Sequence, residues 1–450
     1  MSATVSSTQP IRDPDVDSQR LMGRRGWWLV VLNVLIPGSA QVLAGNKRLG
    51  RIGLSATLTL WALVVVTVIL VLTARSWLLS VALTPWFLIV VQVLLALYAV
   101  LFVVLTLDTL RLVRLVRLSG TSRGLVAVLT VVGLVLSVGG ASWGSYLAGV
   151  AGGGIGSIFS ATQSLPAVDG RYNVLLLGGD AGDDREGLRP DSISVVSIDA
   201  DSGEAVMIGL PRDMLGARFA EGSPMAARYP DGYWNCDVDV CKLNSIYTEA
   251  EVWHADYYPD AVANSSSPGI EATKDAAEGI TGLTIQYYVL VDMAGFSSLI
   301  DALGGVDIEV TERLPIGGDE NFNNVDEWIE PGMHHFNGYY AQWYARSRHG
   351  TSDYDRMARQ KELIAAVVSQ FEPVNVLTKF EDVMSAGSDL IKTDVPANQL
   401  GFFAELANKT RTHELRTYDL TPENGVDQDN PDIDAIHTAV EAELEATPTP

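Results

Sequence analysis

The sequence contains few cysteines and histidines, and this shortage excludes several kinds of site. The 450-residue chain has 2 cysteines and 6 histidines. Cys236 and Cys241 are separated by too many residues for a thioredoxin-like pair, and no cysteine or histidine cluster nearby completes a zinc site. A local disulfide between them is the better interpretation, and such a bond persists only outside the cytoplasm.

Basic residues are also scarce, and their uneven distribution indicates how the chain is organised. Lys and Arg number 31 against 54 Asp and Glu, for a net charge of −23. Residues 1–150 carry 12 basic and 4 acidic residues, whereas the remaining 300 carry 19 and 50. A cationic apolar half followed by an acidic polar half predicts a membrane region and then a soluble domain. Nucleic acid is excluded as a partner because no basic stripe exists to neutralise its phosphates.

Three uncharged stretches are long enough to cross the hydrocarbon layer of a membrane. They are Ile52–Thr73, Leu83–Leu107 and Leu125–Val150. A fourth stretch, Trp27–Ala44, is interrupted by Pro37-Gly38-Ser39, and we expect it to be re-entrant or interfacial. Four arginines between the second and third spans favour a cytoplasmic loop by the positive-inside rule. The chain after residue 150 is therefore expected on the outer side of the membrane.

The composition divides the chain into five parts. They are a disordered cytoplasmic tail (residues 1–26), the membrane region (27–150), a flexible Gly/Ser linker (151–165), an extracytoplasmic domain (166–426) and an acidic tail (427–450). We expect the last dozen residues to be disordered.

Alternating apolar strands and amphipathic helices in the domain predict an α/β fold with one central mixed sheet flanked by helices. Strands are predicted at 173–177, 193–198, 205–208 and 286–291, and helices at 243–250, 270–280, 293–303, 338–344, 354–371 and 396–407.

Two aspartates are expected at one edge of this sheet, between two neighbouring predicted strands. Gly178 and Gly179 allow a sharp turn at the carboxyl end of a buried strand, where α/β sheets bind ligands. Asp180 lies at that edge, and Asp191 precedes the next strand. Two carboxylates beside a phosphate substrate suit Mg²⁺, although a solvated acidic loop is the alternative. Because no Gly-Lys-Ser/Thr follows, the segment is not a P-loop.

Arginines are concentrated in one short segment of the acidic domain. Of the 13 arginines after residue 150, four lie within residues 346–359. Guanidinium groups bind phosphate oxygens in bidentate fashion, and a pyrophosphate requires several of them. A surface helix held by local ion pairs is the alternative, and the same alternative applies to Arg212 beside Asp213. The segment's candidate residues are Arg346, Arg348, Arg356, Arg359 and Gln360.

Seven elements in order resemble the LytR-CpsA-Psr family of bacterial cell-wall proteins. They are NVLLLGGD at 173–180, RPDS at 189–192, LPRD at 210–213, KLN at 242–244, YYVLVDMAGFSSLIDALGGVDIEV at 288–310, the Pro-Gly and Asn-Gly pairs at 331–338, and RSR with DYDRMARQ within 346–360. The resemblance covers about residues 170–372. Pro190 departs from the family pattern, in which a small residue stands there.

The resemblance implies a membrane-anchored phosphotransferase. Such an enzyme moves a glycopolymer from a polyprenyl-pyrophosphate carrier in the membrane lipid to peptidoglycan. It also implies that Asp180 and Asp191 hold Mg²⁺, and that Arg189, Arg212, Arg346, Arg348 and Gln360 line the pyrophosphate, with Arg356 and Arg359 in the same segment. Asp180, Asp191 and Arg212 are the expected catalytic residues. Two alternatives stay open. The protein is a lipid-pyrophosphate pyrophosphatase, or it is a non-catalytic regulatory protein that binds lipid-linked glycans.

Overall fold

The structure is a computed structural model with two compact units, Met1–Gly152 and Gly153–Pro450. It describes residues 11–12, 18–82, 84–159, 163–180, 189–319, 322–347, 352–370 and 391–446.

The first unit is helical. Its helices are α1 (Gln19–Leu35), α2 (Ser39–Ala44), α3 (Lys47–Thr73), α4 (Arg75–Ala82), α5 (Pro85–Val113) and α6 (Gly120–Ile158), the last of which runs into the second unit. Within the described part of the chain, three helical segments are long and apolar enough to cross a membrane: Lys47–Thr73, Pro85–Arg117 and Gly120–Gly156. The three predicted spans are confirmed as apolar helices of sufficient length.

The interruption predicted in the fourth apolar stretch is a break between α1 and α2. Gly38 has a φ of 96°, and a Cβ there would lie 2.3 Å from the backbone nitrogen of Leu54. Only glycine fits this close approach to α3. The amide of Asn33 donates to the Thr106 hydroxyl, and that of Gln41 to the Leu105 carbonyl, so buried polar groups tie both helices to α5.

The second unit combines strands and helices. The strands are β1 (Arg171–Asp180), β2 (Arg189–Asp199), β3 (Ala205–Leu210), β4 (Tyr287–Asp292), β5 (Val306–Val310), β6 (Leu314–Gly317), β7 (Val325–Ile329), β8 (Gly332–Phe336), β9 (Ile391–Thr393) and β10 (Arg416–Asp419). The helices are α7 (Pro224–Arg228), α8 (Ser245–Val252), α9 (Pro268–Thr281), α10 (Met293–Leu303), α11 (Gly338–Arg346), α12 (Asp353–Gln370), α13 (Leu400–Thr410) and α14 (Ile433–Glu445).

Six strands form a mixed central sheet in the order β10-β3-β2-β1-β4-β9. Strand β1 pairs antiparallel with β2 and parallel with β4, and β3 pairs parallel with β10. Two further pairs, β5 with β8 and β6 with β7, form small separate sheets. The mixed sheet with flanking helices confirms the predicted α/β class.

The two faces of the central sheet are packed differently. Leu175, Val195 and Ile208 are fully buried in one large core with residues of α8, α9 and α14. Residues of alternate parity in the same strands point to the other face, beneath α10 and α12. That face carries small side chains, among them Ser192 and Ser194, and it contains the cavity described below.

The predicted strands and helices are confirmed as elements, with several ends shifted. Helix α10 has the predicted bounds, whereas β2 begins four residues earlier than predicted. The predicted flexible linker is wrong in its first part, because α6 continues to Ile158. The predicted disorder of the last dozen residues is also wrong up to Glu445, because α14 buries Ile436 and Val440 in the main core.

Candidate functional site

A β-bulge at the start of β2 places the second predicted aspartate. Gly178 pairs with Ser192 and Gly179 pairs with Pro190, so Asp191 is the extra residue between them. Bulges bend a strand and redirect the side chain of the inserted residue. Pro190 fits this position because a bulge leaves room for a residue without an N–H group. The departure from the family pattern at residue 190 therefore leaves the strand pair intact.

Asp191 is the centre of an ion-pair cluster formed by three separate elements. Its carboxylate accepts a hydrogen bond from Arg212 in the loop after β3. The guanidinium of Arg356 in α12 lies 3.9 Å from the same carboxylate oxygen. The side chain of Asp191 is 28% exposed while that of Arg356 is 2% exposed. The side chain of Arg356 is thus buried, whereas the carboxylate of Asp191 is partly exposed to solvent.

A second acidic residue holds Arg212 from the other side. The Nε of Arg212 lies 3.9 Å from Oδ1 of Asp213, which also accepts from Lys242 Nζ at 3.0 Å. Four charged groups of alternating sign are therefore linked in a row: Lys242, Asp213, Arg212 and Asp191. The sequence did not predict a role for Lys242, although the KLN element contains it.

The other two predicted residues of α12, Arg359 and Gln360, contact the end of α11. Arg359 donates from Nε to the carbonyl of Tyr344 at 3.1 Å and from Nη2 to that of Ser347, so it binds the last turn of α11. Burial lowers the pKa of Arg359. Gln360 donates to the carbonyl of Ala345 at 3.2 Å. Both side chains fix α11 against α12, and their predicted contact with pyrophosphate stays a prediction.

Three other predicted residues are placed only in part. Asp180 ends β1 directly opposite Arg189 in the strand register. Arg346 is the exposed last residue of α11, and Ser347 caps the helix with a φ of −56° and a ψ of 128°. Arg348 lies outside the described residues. The structure therefore brings together Asp191, Arg212 and Arg356, and places the backbone of Asp180 at the same edge of the sheet.

An apolar cavity of about 230 Å³ lies beside this cluster. Ser192, next to Asp191, and Gln360, one turn after Arg356, are part of its wall, so the cavity lies next to the charged cluster. Its lining is otherwise almost entirely apolar or small: Leu176, Leu177, Gly178, Ser194, Val289, Val291, Phe296, Leu299, Ala345, Leu363 and Ile364. An apolar space of this kind suits a hydrocarbon chain.

One buried ion pair beneath α12 was missed by sequence reasoning. Lys361 is 6% exposed and pairs with Asp419 of β10 on the cavity face of the sheet. A Cβ at Gly209, in the neighbouring strand, would lie 2.5 Å from Lys361 Nζ, so glycine makes room for the lysine. No sequence pattern links Lys361 to Asp419, because the pair depends on the order of strands in the sheet.

The pair of aspartates fits a hard divalent cation. Asp180 and Asp191 stand at the facing ends of two paired strands, and the carboxylate of Asp191 is partly exposed. Magnesium takes one or two protein carboxylates and keeps several waters. The donor set is therefore of the right kind, and Mg²⁺ binding stays a prediction.

The fold and this site define a membrane-linked α/β domain in which charged groups border an apolar cavity. A profile of the LytR_cpsA_psr family matches residues 157–445, and the chain belongs to that family.

Two relatives and one solved structure are similar to this chain over part of its length. "Biofilm regulatory protein A" of Streptococcus mutans is 25% identical over 258 residues, which are 56% of this chain and 57% of that protein. "Polyisoprenyl-teichoic acid--peptidoglycan teichoic acid transferase TagU" of Halalkalibacterium halodurans is 25% identical over 226 residues, 50% of this chain and 61% of that protein. This chain thus spans about three fifths of either relative. The crystal structure of protein gbs0355 from Streptococcus agalactiae has a TM-score of 0.46 and 21% identity, and the likeness covers 62% of this chain and 89% of that one.

Proposed function

We propose that this protein transfers a glycopolymer from a polyprenyl-pyrophosphate carrier to peptidoglycan. The observation that carries the proposal is the position of the Asp191–Arg212–Arg356 cluster, whose neighbours along the chain line the apolar cavity. A carrier of this kind has the same two parts, a diphosphate and a hydrocarbon chain. Family membership and the printed name of the similar TagU protein support the same reaction class.

The proposed binding mode follows from the chemistry of the two regions. The prenyl chain enters the cavity between the sheet and helices α10 and α12, where apolar burial stabilises it. The diphosphate lies at the rim, where Arg212 and Arg356 donate to its oxygens. In the free protein Asp191 engages both guanidinium groups and holds them in position. Arg189, Arg346 and Arg348 complete the diphosphate site in this proposal.

The proposed reaction breaks a phosphoanhydride bond and forms a phosphodiester bond. The oxygen of an acceptor hydroxyl forms a bond to the glycan-side phosphorus, and the bond from that phosphorus to the bridging oxygen breaks. The acceptor hydroxyl loses its proton, and polyprenyl phosphate leaves. Arginines fixed before the reaction stabilise the charge that develops on the phosphoryl oxygens. Mg²⁺ held by Asp180 and Asp191 would neutralise part of the same charge.

The membrane unit gives this reaction its location. In this proposal three apolar helices hold the chain in the bilayer that contains the carrier, and the arginine distribution supports an outer position for the second unit. Peptidoglycan is on that side as well. The Cys236–Cys241 disulfide is compatible with this compartment.

The acceptor requirement tests the proposal. Purified full-length protein in detergent micelles is mixed with a synthetic prenyl-pyrophosphate-linked glycan, with and without peptidoglycan. We expect glycan on the peptidoglycan and release of polyprenyl phosphate only when peptidoglycan is present, loss of both with EDTA, and recovery with Mg²⁺. Equal release without peptidoglycan identifies a pyrophosphatase. Donor binding without turnover in any condition identifies a binding protein, and either result contradicts the proposal.

A further inference from the structure

A second cavity, of about 360 Å³, is lined in part by Arg189, the residue opposite Asp180 in the β1–β2 pair. Small-molecule sites have volumes of about 300–1,000 Å³. Its lining contains Arg189, two carboxylates, one aromatic ring and three smaller side chains: Arg189, Asp237, Val238, Asp239, Thr248, Val252 and Trp253. We call it the Trp253 pocket. Because Arg189 also belongs to the proposed diphosphate site, the two sites are neighbours.

Trp253 gives this pocket an exposed aromatic surface. The residue follows the last turn of α8, and its backbone N–H donates to the carbonyl of Glu249. The side chain is 56% exposed in the described structure, which is unusual for so large an aromatic residue. A flat indole surface packs well against the C–H face of a sugar ring, while an indole N–H donates to a polar group.

The polar wall of the pocket is held rigidly. The disulfide between Cys236 and Cys241 closes the loop that carries Asp237 and Asp239. Asp237 is held by Arg228 and by His254 Nε2 at 2.7 Å. Its backbone N–H lies 3.3 Å from Oε2 of the fully buried Glu249. A wall fixed in this way loses little freedom when a ligand binds.

These contacts also indicate that the carboxylates do not form a metal site. Ligand atoms of Asp237, Glu249 and His254 lie within 4.8 Å of one another. However, Glu249 already accepts hydrogen bonds from the hydroxyls of Tyr229 and Tyr233, the latter at 2.6 Å. The three residues therefore form a hydrogen-bonded network that supports the pocket wall.

The charges of the pocket select the kind of ligand. Asp237 is paired with Arg228 and His254, and Asp239 shares the lining with Arg189, so the charges around the pocket nearly balance and an uncharged ligand fits it best. The same carboxylates accept hydrogen bonds from vicinal hydroxyls. We propose that the Trp253 pocket binds one uncharged sugar ring of a glycan substrate, next to the diphosphate site. The proposal rests on the proposed glycopolymer transfer and assigns part of its glycan specificity.

Two measurements on the full-length protein in micelles test this subsite. Saturation-transfer NMR with chitotetraose, an oligomer of N-acetylglucosamine, detects sugar binding without turnover, so it remains informative if the transfer reaction fails. We expect a signal for the wild type and for Trp253→Phe, and loss of the signal for Trp253→Ala. Tyr339→Ala removes an aromatic residue that is 48% exposed outside the pocket and serves as the matched control.

The kinetic arm identifies which substrate supplies the sugar. We expect Trp253→Ala to raise the KM of one substrate about tenfold, equivalent to about 1.4 kcal/mol, with kcat within about twofold. A raised KM for the glycan donor assigns the pocket to the transferred polymer, and a raised KM for peptidoglycan assigns it to the acceptor. Unchanged KM values together with unchanged chitotetraose binding overturn the proposal.

Discussion

Asp191 and Arg212 form an ion pair that joins the bulge of β2 to the loop after β3. Arg356 approaches the same carboxylate from α12, so one aspartate positions two arginines from different elements. A substrate diphosphate offers these arginines the same type of oxygen ligand. In the proposed reaction, these two arginines act on the diphosphate from the positions in which Asp191 holds them.

Filling the apolar cavity is expected to weaken donor binding. Ser194 is 5% exposed and lines the cavity from β2, so Ser194→Leu places a larger side chain inside it. We predict about a tenfold rise in the KM for a long-chain prenyl donor and little change for a short-chain donor. Ser369→Leu, on an exposed part of α12, is the control. Equal KM changes for both donors would show that the cavity does not hold the prenyl chain.

The buried pair beneath α12 is expected to stabilise the second unit. Lys361→Met leaves Asp419 without its cationic partner on the sheet, and breaking such a pair costs about 3 kcal/mol. Thermal unfolding in micelles is expected to show a lower Tm for Lys361→Met. The double variant Lys361→Met/Asp419→Asn is expected to recover part of the loss. Strictly additive losses would indicate that the two side chains do not interact.

The pKa of Asp275 predicts how the free energy of unfolding depends on pH. Burial raises its pKa from an ordinary value of 3.8 to about 7 in the folded protein. Between these values the folded state binds more protons than the unfolded state, so the free energy of unfolding falls as the pH rises from about 4 to about 7. Asp275→Asn removes this dependence. We therefore expect the Tm of Asp275→Asn, relative to that of the wild type, to be higher at pH 8 than at pH 5. The same Tm difference at both pH values would refute the raised pKa of Asp275.

Sequence patterns predicted the elements better than the contacts between them. Helix α10 was predicted with its bounds because its apolar periodicity is strong. The acidic composition of the tail does not predict the C-terminal helix α14, whereas the apolar spacing of Ile433, Ile436 and Val440 does indicate a helix.

The candidate site was predictable in part. Adjacent strands were enough to predict that Asp180 and Asp191 end at one edge of the sheet. The bulge at Asp191 could not be predicted, because it depends on the pairing of two glycines with Pro190 and Ser192. The contact of Arg359 with the end of α11 likewise depends on how two helices pack.

Replacing Arg212 tests the central claim most directly. Glycan transfer from a prenyl-pyrophosphate donor to peptidoglycan is measured for the wild type, Arg212→Ala and Arg218→Ala, an exposed arginine six residues further along the chain. We predict that Arg212→Ala lowers kcat by about 10²–10³, the usual effect of losing one transition-state donor, while its Tm stays near that of the wild type. Arg218→Ala is predicted to retain full activity. Transfer by a folded Arg212→Ala variant at the wild-type rate would contradict the account.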